Sequence, residues 1–130
     1  MRPPSQAIAA IIQSAEGWLE LGDVAEALRE LEKIPSSACN LAVLRLRYTA
    51  FAMINQWQAA LLVAEVAVQL YPSAPEPWLW RAEAIRATTG SAEKACASLL
   101  PAVQLFPDNT AVEKALIGYK RETSDPGAEA

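Results

Sequence analysis

The sequence predicts an all-α chain of helical hairpins, and three observations carry that prediction. Of 130 residues, 26 are Ala and only 5 are Gly, a mixture with high helix propensity and little strand material. The hexapeptide AVQLYP, residues 67–72, returns as AVQLFP at 102–107, 35 positions later. Between these marks, Gly, Asn and Pro recur at intervals that suit helix ends rather than helix interiors. At this length one compact domain is expected, over 1–122, followed by a flexible tail at 123–130.

The elements follow in order. From Ser5, the residues Ile8, Ile11, Ile12, Ala15, Trp18 and Leu19 recur at helical spacing, and Gly22 stops the run. Asp23, with Glu26 three residues on, is an acidic cap that opens a second helix over 23–33. Pro35 and two serines end it. A third helix covers 40–54, and Asn55 can take the left-handed conformation that Gly22 supplies earlier. A fourth covers 57–70, after which Pro72, Pro75 and Pro77 mark the connection to a fifth at 76–89. Gly90 and the cap Ser91 precede a sixth over 92–106; Pro107 and Asp108 close it, and a seventh spans 109–121. Six helices form three pairs, and one is left over.

A period of about 34 residues made of two helices resembles the tetratricopeptide repeat, with its pattern W-x2-L-G-x2-Y, then A-x3-F, then P. Ile11, Ser14, Ala15 and Trp18 take the first-helix places of one pair, followed by Ala27 and Leu31. Leu44, Arg47, Tyr48 and Phe51 do so in the next, followed by Ala60, Ala64 and Pro72. Trp78, Arg81, Ala82 and Ile85 do so in the third, followed by Ala95, Leu99 and Pro107. The fold this implies is an α-α superhelix with repeats at about 6–35, 40–72 and 75–107 and a capping helix at 109–121, carrying Ala115, Leu116, Ile117 and Tyr119. Small residues let paired helices approach, and stacking buries the face each pair leaves wet. The two hexapeptides are then the same joint, the end of a second helix and the proline that turns the chain. Departures are visible as well. Pro35 comes early, so that second helix is short; Tyr48 stands where a small residue is usual; one extra residue precedes Gly90; and Pro101 lies inside the sixth helix, where a bend near Ala97 is expected.

In the family, the inner surface made by the first helices receives an extended or helical peptide of another protein. Carried onto this chain, the resemblance implies a lining of Ile12, Glu16 and Leu19, then Arg45, Thr49 and Met53, then Leu79, Trp80, Glu83 and Arg86. Trp80 lies two residues after Trp78, about 200° around the helix, toward that surface; packing against a neighbouring first helix is the competing role for it. An aromatic beside an Arg is the composition in which binding energy concentrates. Members that bind the carboxyl terminus of heat-shock chaperones use Lys, Asn and Arg at places that here hold Ile12, Glu16, Leu46, Glu76 and Trp80, so the resemblance does not extend to that activity. A small chaperone shielding an apolar client, or a subunit that associates with a second copy of itself, are the other readings.

Composition excludes several functions. A net charge of −4 and a pI near 4.8 oppose binding to a phosphate backbone, which needs clustered cations. The chain has no His, which removes His-based nucleophilic catalysis and His metal sites, and no phosphate-loop motif occurs. Cys39 and Cys96 match no redox or zinc spacing and read as buried free thiols of a reducing cytoplasm. Glu26, Glu30 and Glu32 share a short helix with Arg29 and Lys33, a solvated face rather than an acid-base pair. Glu65 interrupts the longest apolar run, so no bilayer-spanning helix is expected. The short cluster AIAAII runs directly into an amphipathic pattern, unlike a secretion signal. The expectation is a non-enzymatic, cytoplasmic protein-binding module without metal or cofactor.

Overall fold

A computed structural model describes residues 5–124. These hold seven α-helices and no strand: α1 (Ser5–Glu20), α2 (Val24–Glu32), α3 (Leu41–Met53), α4 (Trp57–Leu70), α5 (Pro75–Thr89), α6 (Ala92–Leu105) and α7 (Thr110–Ser124), with one 3₁₀ turn at Ser36–Ala38. The chain divides between Val63 and Ala64, inside α4, into two compact units. In the first, α1 packs on α2 and both pack on α3; in the second, α5 packs on α6 and both pack on α7. This is the all-α, neighbour-on-neighbour packing of a helical-repeat fold. Thr123 and Ser124, expected in the tail, belong instead to α7, where both hydroxyls donate to the Lys120 carbonyl. The remainder of that tail, 125–130, lies outside the described residues.

The hairpin turns repeat at the level of single backbone bonds. Gly22, Asn55 and Gly90 are the described residues with positive φ, at 80°, 58° and 72°. After α1, the Gly22 N–H donates to Leu19 O and the Asp23 N–H to Trp18 O; after α3, Asn55 donates to Ala52 O and Gln56 to Phe51 O. Both are the paired bonds of a Schellman stop, which needs a left-handed residue at this place. The two hexapeptides match in the same way. Tyr71 N–H donates to Ala67 O and Phe106 N–H to Ala102 O, each at 2.8 Å, and the next bonds, Ala74 to Tyr71 O and Asn109 to Phe106 O, also correspond. Asp23, Asn40, Ser91 and Asn109 each accept from the amide three residues on, so side chains satisfy the open N-terminal donors. Only half of a capping box forms at α2, however. The Asp23 amide is committed to Trp18 O, and Glu26 turns instead to Arg29 at 2.8 Å.

Each unit has its own core. Ala15, Ala27, Leu31, Ile34 and Val43 form the first, with Ile8, Ile11, Ile12, Trp18, Leu19 and Leu46 against them. Val68, Trp78, Ala82, Ala95, Leu99, Ala102 and Val112 form the second, flanked by Leu79, Val103, Phe106, Ala115, Leu116 and Tyr119. Ala15, Ala27, Ala60 and Ala95 are fully buried, as expected of residues that let helix backbones approach. Burial of one large side chain such as Leu31 or Leu99 stabilises by about 2 kcal/mol. Trp78 also fixes the joint before α5, since its indole N–H donates to Pro72 O at 3.2 Å.

Two arginines at matching first-helix places have different tasks. Arg47 Nη2 donates to Leu31 O at 3.3 Å, in the last turn of α2, where open carbonyls and the negative end of the helix dipole favour a cation. Arg81 Nη2 donates to Ser98 O at 2.9 Å, and its guanidinium lies 4.8 Å over the Trp78 ring, a cation-π contact. Its Nε is buried without a hydrogen-bond partner. Ser98 neighbours Ala97, the carbonyl whose helical partner Pro101 deletes, and α6 runs unbroken through that proline.

Candidate functional site

The sequence-predicted lining falls into two sets, one in each unit. On α1, Ile12 and Leu19 are half-buried against the first core, and Glu16 between them is exposed. Arg45, Thr49 and Met53 follow at steps of four along α3, which places them on one face of that helix. All three are exposed, Met53 to 47%. This face is therefore polar at one end and apolar at the other.

The α5 set is more engaged. Leu79 packs on the second core, Trp80 is half-buried, and Glu83 is exposed. Arg86 reaches across to α7, with Nε at 3.2 Å and Nη2 at 2.9 Å from one oxygen of Glu122. The hydrogen bond first and the charge second hold the guanidinium pKa above its ordinary value. Tyr119 shares this corner. Burial pushes its phenol pKa up, the Glu83 and Glu122 carboxylates push further, and Arg86 opposes them. Glu83 and Arg86 are thus brought together around two α7 side chains, Tyr119, expected in the capping helix, and Glu122, one residue past its expected end. Tyr119 and Glu122 would have been legible had the seventh helix been read as a further first helix, 35 positions after α5.

No polar or charged residue is buried as a whole among the described residues, although the Nε of Arg81 is, and no group of three or more Cys, Asp or Glu stands ready for a metal ion there. Cys39 and Cys96 are free and half-buried rather than fully buried. No described helix is long and apolar enough to cross a membrane. The chain matches no protein-family model and no curated protein sequence.

Proposed function

We propose that the chain is a non-enzymatic interaction module of tetratricopeptide-like design, which holds a peptide or helix of another cytoplasmic protein on its first-helix faces. The observation that carries this reading is the α3 face on which Arg45, Thr49 and Met53 follow at steps of four and all stand exposed. Leu21 and Ile54, just past the ends of α1 and α3, are exposed as well, to 78% and 44%. Within the first unit Arg45, Thr49 and Met53 on α3 supply cationic and apolar contacts, and within the second Trp80 and Arg86 on α5 supply the aromatic and cationic ones in which binding energy concentrates.

The test is affinity capture from source-cell lysate with the wild-type chain and Trp80→Ala in parallel. A protein held by the first and lost by the second, with helicity unchanged by circular dichroism, supports the reading; identical captures oppose it. Exposure of Leu62, Val66 and Leu70 along α4 and of Leu100 and Leu105 on α6 favours a second reading, in which second-helix surfaces shield an apolar client or a second copy of the chain. Light scattering across concentrations and co-expression with a candidate client separate these two.

A further inference from the structure

The first unit contains a cavity of about 290 Å³ lined by Leu28, Leu31, Glu32, Arg47, Phe51 and Val63. It exists because α2 is short. Nine residues form α2 and 14 form each of α4 and α6, so α2 ends at Glu32, about a turn and a half sooner. Small-molecule sites span roughly 300–1,000 Å³. This one is at the lower edge, the size of a single large side chain rather than of a cofactor.

Charge selects the occupant further. Of the three carboxylates on α2, Glu26 pairs with Arg29 at 2.8 Å and Glu30 with Lys33 at 2.9 Å. Glu32, at the cavity rim, makes no ion pair or hydrogen bond among the described residues. Arg47 is turned to the Leu31 carbonyl, where the end of the helix dipole offsets its charge. What remains is a largely apolar socket beside one exposed carboxylate, that of Glu32.

We propose that this cavity takes one large apolar side chain of a partner peptide, with an adjacent Lys or Arg of that peptide paired to Glu32. This rests on the reading of the chain as a protein-binding module, but it concerns α2, α3 and the start of α4 rather than the lining around Trp80. The apolar walls of Leu28, Phe51 and Val63 supply the affinity, and Glu32 supplies the preference for a cationic neighbour.

The experiment is a titration of the isotope-labelled full chain with N-acetyl-Phe-Arg-amide, followed by backbone amide shifts. Saturable shifts centred on Leu28, Leu31, Glu32, Phe51 and Val63 at millimolar probe are expected. Binding should weaken about threefold for N-acetyl-Phe-Glu-amide and for Glu32→Gln, the size of an exposed ion pair. It should vanish for N-acetyl-Ala-Arg-amide and for Val63→Phe, which fills the socket. The probe series leaves the protein unaltered, so it decides the matter even if Val63→Phe folds poorly. Shifts centred elsewhere, no saturable shifts, or equal affinity for the Arg and Glu probes would overturn the proposal. Because Trp80→Ala leaves this cavity intact, its shifts should persist in that variant, which keeps the failure of one reading distinct from failure of the other.

Discussion

Arg47 on α3 and Arg81 on α5 stand 34 positions apart, yet one caps the end of α2, before its own helix, and the other serves the Ser98 carbonyl of α6, after its own. The difference lies in which neighbouring helix each arginine meets. Where α2 stops after nine residues, its open carbonyls draw the arginine and a cavity remains alongside. Where α6 continues for 14, the arginine reaches Ser98 and stacks on Trp78. Sequence spacing thus sets the helix on which a side chain stands, and the neighbouring helix it meets sets what it does there.

Core truncation gives the largest effect and separates the two units. Leu99 and Leu31 are both fully buried, and Leu31 also borders the cavity of the first unit, so its loss perturbs packing that is already incomplete. Within the range of about 2–5 kcal/mol for such truncations, Leu99→Ala belongs near the top and Leu31→Ala near the bottom in urea unfolding. Equal losses would show that the cavity does not loosen the first core.

The arginines come next. Arg81→Ala removes a hydrogen bond, a ring contact and a packed stem, at about 2 kcal/mol. Arg47→Ala removes chiefly a helix-end bond, at about 1 kcal/mol. Thermal unfolding of both variants would show near-equal losses if the contact with Trp78 carries no stability.

Turn substitutions test the repeated stop at a finer scale. A Cβ at Gly22 or Gly90 would meet nothing within 4 Å, so Gly22→Ala and Gly90→Ala carry only the left-handed backbone strain, about 1 kcal/mol. Asn55→Gly should be close to neutral. A clear gain or loss at Asn55 would mean that its side chain does more than tolerate the turn.

Tyr119 gives the smallest effect, and one confined to alkaline solution. Its folded pKa is raised by burial and then by Glu83 and Glu122. The stability linked to this shift is fully present below the unfolded value of about 10 and is lost as pH rises through the higher folded one. Unfolding midpoints measured upward from pH 8 should fall in that window, and less steeply for Tyr119→Phe. An unchanged slope would remove Tyr119 as its source.

The helix order, the stops at Gly22, Asn55 and Gly90, and the identity of the two hexapeptide joints were legible in the sequence because each rests on local backbone rules. The shortness of α2 was legible from Pro35 for the same reason. The Arg86–Glu122 contact, the partners of Arg47 and Arg81 and the cavity were not. They join residues 16 to 36 positions apart, and a long flexible side chain standing on the right helix face still has several acceptors within reach. Of the candidate lining, spacing could show that Arg45, Thr49 and Met53 share a face, but not that α7 would draw Arg86 to itself.

The central claim is that the first-helix faces bind another protein, and site-specific photo-crosslinking in the source cell tests it most directly. A benzophenone side chain would replace Thr49 or Trp80 on first helices, or the exposed Glu93 on α6 as the comparison. The account predicts adducts of one common partner from positions 49 and 80 and none from 93. Adducts from 93 alone, or adducts with the mass of two copies of this chain, would contradict it.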